Sequence, residues 1–211
     1  MNRAPLMLVA GLAALLGACS DSAVSVSSVA NTTVDDTTDA TTVDDTTDAT
    51  TDAMTALADG VEFTDPDGRY SVVYPSEPTA SPGTAPLAVG GSVDFVAYIA
   101  GDSSHAYVTN CLDYATTGQT DIQVDLEGAR DGALANLNGT LTSSKDIEQQ
   151  GRSGLEFTGT VVGGGQEGSV IGRLFEDGLA LCQVMAVAVT GDTSDVSPAF
   201  LDSFQFLEPA A

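Results

Sequence analysis

Hydrophobic and polar positions fall into two unlike regions along this chain. The first is a dense apolar block, Pro5 to Ala18, followed by about forty residues almost without large apolar side chains. The second begins near Val61, where apolar residues start to alternate with polar ones. Glu62-Phe63-Thr64, the turn Asp65-Pro66-Asp67-Gly68 and Arg69 to Tyr74 read as strand, tight turn, strand, with Tyr70, Val72 and Tyr74 on one face. Pro75 to Pro86, rich in Pro, Ser, Thr and Gly, reads as a loop. Val93 to Ala100 and Ala106 to Ala115 read as strands joined by a short turn at residues 101–105.

The helical period then takes over once. Leu126, Ala129, Ala133 and Leu137 recur at helical spacing, Asp125 is placed to cap, and Asn138-Gly139 closes the run. Strands are predicted again at Leu141 to Gln149, Leu155 to Val162, Ser169 to Phe175 and Leu179 to Val189. The last is apolar at both parities, which predicts cover on both faces. Ser197-Pro198 reads as a helix start with Pro at the first helical position. The pattern predicts an α+β domain over residues 59–208.

The apolar block is too short to span a bilayer, which takes ~20 apolar residues, and has the length of a signal-peptide core. It ends at Leu16-Gly17-Ala18-Cys19, which resembles the lipobox of bacterial lipoproteins: an aliphatic residue, two small residues, then Cys. That resemblance implies a lipoprotein signal peptide at 1–18, cleavage before Cys19 and lipidation of its thiol, with two or more acyl chains giving stable anchoring. The expected location is the cell membrane, on its extracytoplasmic face, and the membrane is reached through the lipid anchor.

Residues 19–58 are expected to be a disordered Thr/Asp-rich tether. TTVDDTTDA occurs at 32–40 and again at 41–49, a nine-residue unit with one Val that cannot build a core. A random coil of about 40 residues spans on the order of 35 Å, and repulsion between aspartates lengthens it. Thr-rich linkers also serve as O-glycosylated stalks. Weak divalent-cation binding is the most that the repeat offers, since it lacks the Gly turn and bidentate Glu of an EF-hand loop.

Charge narrows the partners. The sequence has 30 Asp+Glu against 6 Lys+Arg, a formal net charge of −24. No basic stripe is available to release counterions from phosphates, which argues against nucleic acid. The acid excess favours cations or basic partners.

Candidate chemistry is thin. Gly163 to Gly168 fits G-x-G-x-x-G, but a strand rather than a helix is predicted to follow, so it reads as a hairpin loop and not a dinucleotide site. His105 is the only histidine, and Ser103 and Ser104 are too near in sequence to meet its imidazole from a separate element. Asp65 and Asp67 suit a tight turn as well as a cation loop. Asp113, Asp121 and Asp125 are not paired by any feature of the sequence. No catalytic residue, metal site or cofactor is expected. Cys111 and Cys182 remain once Cys19 is set aside, both in predicted strands of an exported chain, and they form the disulfide candidate. A bridge closing about 72 residues would contribute on the order of 4 kcal/mol in the loop-entropy model. Two buried free thiols are the alternative, because strands that are not neighbours cannot be bridged.

The order of these segments resembles a known family. F-x-x-P-x-G-x-Y-S-V-x-Y-P lies at Phe63 to Pro75, then a mid-chain helix, G-x-x-G-x-E at Gly151 to Glu156, an Arg-bearing strand at Arg173, and F-L-D-S-F at Phe200 to Phe204. Residues 60–207 are similar to the PsbP-like proteins found as bacterial lipoproteins. That resemblance implies an antiparallel β-sheet flanked by helices, and partners rather than substrates. The expected function is a lipid-anchored binding or interaction module without catalysis, its ligand an unknown protein or envelope component. The alternatives are a structural or spacer lipoprotein with an acidic stalk, and a carboxylate-based enzyme.

Overall fold

A seven-stranded and a three-stranded antiparallel sheet dominate the computed structural model. It describes residues 57, 60–87, 90–118, 124–163, 166–189 and 197–207. The strands, in chain order, are β1 (Val61–Thr64), β2 (Tyr70–Tyr74), β3 (Thr79–Pro86), β4 (Ser92–Gly101), β5 (His105–Asp113), β6 (Thr140–Gln149), β7 (Arg152–Gly163), β8 (Gln166–Asp177), β9 (Ala180–Ala188) and β10 (Gln205–Phe206). Among the described residues the helices are α1 (Leu126–Asn136) and α2 (Ser197–Ser203), and a 3₁₀ turn covers Tyr114–Thr117. The large sheet runs β3-β4-β5-β9-β8-β7-β6 and the small one β1-β2-β10.

β9 explains the layering. All nine of its residues are buried, so each face of the large sheet carries its own core. On one face Val108, Leu112, Leu155, Phe157, Leu174, Leu181 and Met185 pack with Ala133 and Leu134 of α1. On the other, Tyr107, Phe175, Cys182, Val184 and Ala186 meet Tyr70, Val72, Tyr74, Phe200, Phe204 and Phe206. The expected picture of helices on the sheet needs correction here. Among the described residues α1 alone covers the first face as a helix, and the second is covered by the small sheet together with the seven-residue α2. The chain is more sheet than helix-flanked sheet, because the strand predicted at Tyr70 to Tyr74 turns its alternating Tyr70, Val72 and Tyr74 onto the second face of the large sheet.

Local chemistry fixes α1. The Asp125 carboxylate accepts from the Gly128 N–H at 2.9 Å, as an N-cap does. Asn138 takes φ 51°, which turns the Gly139 N–H back onto the Leu134 carbonyl at 2.7 Å and ends the helix.

The second correction concerns Pro75 to Pro86. Its latter part is not a loop but the edge strand β3, paired with β4 from Thr79↔Ile99 to Pro86↔Ser92. Hydrogen-bond parity shows why two prolines are tolerated. Asp102 donates to the His105 carbonyl, so Tyr98 and Thr109, four residues further along each strand, also exchange bonds between β4 and β5. Tyr98 therefore turns its backbone groups away from β3. Positions 80, 82, 84 and 86 of β3 point theirs to the outside of the sheet. Pro82 and Pro86 sit where no N–H is needed.

Candidate functional site

β4 and β5 part company halfway. They pair over Tyr98–Gly101 and Ala106–Thr109, after which β4 continues with β3 alone and β5 runs on beside β9 to Asp113. A cleft of about 620 Å³ opens at this parting. Pro82, Val96 and Cys111 give it apolar surface, and the β1–β2 turn overhangs it with Asp65, Asp67 and Arg69. Asp94, Asp113, Thr84 and Thr116 complete its polar lining.

The turn itself is set by sequence. Gly68 adopts φ +70°, a left-handed conformation that favours glycine, and its N–H donates to the Asp65 carbonyl at 2.8 Å. Asp65 is held almost out of solvent, at 8% exposure. Burial pushes its carboxyl above the ordinary range, and the nearby Asp67 charge adds to this, against the opposing pull of the Arg69 N–H and guanidinium. Arg69 ion-pairs with Asp113, and Asp177 stands 3.9 Å from its other terminal nitrogen. The cleft thus presents four carboxylates and one guanidinium, already engaged.

Behind the cleft lies a chain of buried hydroxyls. Tyr74 donates to the Tyr98 carbonyl at 2.9 Å, and its oxygen lies 2.6 Å from Thr109 Oγ1. A carbonyl only accepts, so Tyr74 spends its proton there and accepts from Thr109. Thr109 in turn accepts from Tyr70, 2.7 Å away. The order Tyr70→Thr109→Tyr74→Tyr98 carbonyl is the one that satisfies all three hydroxyls. Burial raises the pKa of both Tyr70 and Tyr74 well above the usual phenol range, so both stay neutral.

Two of the residues singled out in the sequence come together here. Cys111 and Cys182 are direct register partners on β5 and β9 and form a disulfide. Cys182 is fully buried, while Cys111 lines the cleft. Asp65, Asp67 and Asp113 share the cleft lining with Cys111, whereas His105 and Asp125 lie elsewhere. His105 begins β5 with its Nδ1 3.9 Å from Asp102, whose carboxylate accepts from the N–H groups of Ser104 and His105 and is held below its ordinary pKa by them. Asp125 caps α1, Asp113 pairs with Arg69, and Asp121 lies outside the described residues. Gly163 and Gln166 are partners in the β7–β8 hairpin, and β8 follows as a strand. Cys19, the signal peptide and the Thr/Asp tract also lie outside the described residues. Among the described residues no three His, Cys, Asp or Glu side chains are grouped to hold a metal ion, and no helix is long and apolar enough to cross a membrane.

Thr109, Asp94 and Val96 are cleft-region residues that the sequence reading did not single out. Their strands were legible, but the divergence of β4 from β5 leaves no local signal. An acidic turn beside a lone Arg was the nearest hint.

No protein-family model matches the chain, and no curated relative matches it. Among solved structures it is similar to the cyanobacterial PsbP protein CyanoP from Synechocystis sp. PCC 6803, with TM-score 0.46 and 10% identity over 69% of this chain and 91% of that one. It is also similar to a protein of unknown function from Pseudomonas aeruginosa, with TM-score 0.31 and 10% identity over 61% of this chain and 82% of the other.

Proposed function

We propose that the chain is a bacterial lipoprotein with a PsbP-like domain, acting as an extracytoplasmic binding module without catalysis. Cys19 carries the lipid anchor, residues 20–58 extend the domain away from the membrane, and the cleft meets the partner. The observation that carries this reading is the state of the cleft's charged groups. Arg69 and Asp113 are tied to each other, and Cys111 is consumed in the disulfide. What is left is acidic surface around an apolar floor, where Thr84 donates its hydroxyl to the Asp94 carboxylate at 3.0 Å, a lining suited to recognition of a partner. The lipobox at Leu16 to Cys19 supports the anchor.

Two experiments on intact cells test this. Cys19→Ala should release the protein from membranes or block its processing. Amine- and carboxyl-reactive crosslinking at the cell surface should join the wild-type protein to a discrete set of partners. Unchanged membrane partition of the variant overturns the anchor. Crosslinking no richer than that of an unrelated lipoprotein overturns the binding role.

A further inference from the structure

We propose that the cleft takes an extended, basic peptide segment of a partner protein, laid along the open edge of β5. This rests on the binding reading above and specifies the partner's chemistry.

The backbone is the first reason. Tyr114 donates to the Leu179 carbonyl, so hydrogen-bonded pairs between β5 and β9 fall at Leu112↔Leu181 and Asn110↔Gln183. Cys111↔Cys182 is then a non-hydrogen-bonded pair, in keeping with its Cα separation of 4.1 Å. The N–H and C=O of Cys111 must point away from β9, to the side that β4 leaves after Tyr98↔Thr109. By the same parity Val96 turns its backbone groups toward that side from β4. Among the described residues no strand lies beside β5 there. Such an edge is a template for an added strand, whose main-chain bonds supply affinity.

Charge selects the occupant. A strand beside Cys111 sets every second side chain over the cleft face, where Asp65, Asp67, Asp94 and Asp113 face a single arginine. Lysine or arginine at alternate positions matches this, and acidic side chains are repelled. A second copy of the chain fits poorly, with 30 acidic against 6 basic residues. Val96, 39% exposed on the floor, gives apolar contact to the stems of long basic side chains.

The test uses the full chain and two nine-residue peptides, one alternating Lys and Val and one alternating Glu and Val. Binding is read by fluorescence anisotropy at low salt and by amide NMR shifts. The Lys/Val peptide should bind, shift the amides of Val96 and Cys111, and slow hydrogen exchange at Cys111. The Asp67→Asn/Asp94→Asn variant, which changes only exposed side chains, should weaken binding about tenfold, and the Glu/Val peptide should not bind. Shifts confined to residues 20–58 overturn the inference, as does affinity unchanged in the variant. Calcium alone producing the same shifts and displacing the peptide would make the cleft a cation site and also overturn it. If surface crosslinking captures a partner while the Lys/Val peptide misses the cleft, the binding role stands and the basic-peptide inference falls.

Discussion

Cys111 on β5 and Cys182 on β9 stand directly opposite one another in register, joined as a disulfide with their Cα atoms 4.1 Å apart. The bridge ties the two strands beside the cleft, but its two sulfurs differ in environment, Cys182 buried and Cys111 at the cleft wall. A reducing thiolate should therefore attack Cys111. The surrounding aspartates repel anionic thiols, so cysteamine should reduce the bridge faster than mercaptoethanesulfonate at matched thiolate concentration. Alkylation and mass spectrometry should find the trapped mixed disulfide at Cys111. Equal rates, or adducts at Cys182, would contradict this.

Cys111→Ser should cost about 2–5 kcal/mol in stability, partly by loosening the unfolded chain. A thiol assay on the denatured, unreduced wild-type protein should find no reactive thiol from the Cys111–Cys182 pair. Two free thiols from that pair would refute the bridge.

Thr109→Val should cost about 1–3 kcal/mol, because Tyr70 loses its acceptor and Tyr74 its donor in a fully buried site. Thr109→Ser keeps the hydroxyl and should recover most of the loss. Urea unfolding of the two variants measures this directly.

Asp65 and Glu156 should give opposite pH trends. Glu156 is desolvated, yet hydrogen bonds from Lys145 and Arg173 outweigh burial and hold its carboxyl below the ordinary value of 4.5. Its contribution is present above that value and is lost as pH falls through the lowered one. Glu156→Gln should cost about 1.5 kcal/mol at pH 7, and less as the medium becomes acidic. Asp65 is raised above its ordinary 3.8. The ionised form costs stability above the raised value, and the cost is relieved as pH falls through it. Asp65→Asn should raise the Tm at pH 7, with the gain fading toward pH 3. Melting curves of both variants across that range check the signs.

Much of the fold was legible because each strand's pattern is local. The apolar run of β9 predicted cover on both faces, and Asp125 with Asn138-Gly139 marked α1 correctly. The β3 strand was hidden because prolines usually signal loops, and only the parity of its neighbour shows that Pro82 and Pro86 need no N–H. The small sheet's role was hidden for another reason. Tyr70 and Tyr74 were seen to share a face, but what that face meets is set by contacts such as Tyr74–Phe200, centroids 5.2 Å apart across 126 positions of sequence. The cleft depends on β4 and β5 separating after Thr109, a relation between strands that neither strand's pattern contains.

The most direct measurement places a photoreactive amino acid at Val96, on the cleft floor, and in a matched experiment at Val162, an exposed residue of β7 outside the cleft lining. Both proteins are illuminated on intact cells. A binding module that works through the cleft predicts a discrete crosslinked partner from position 96 and little from 162. Equal crosslinking from both positions, or none from position 96 with the protein present at the surface, would contradict it.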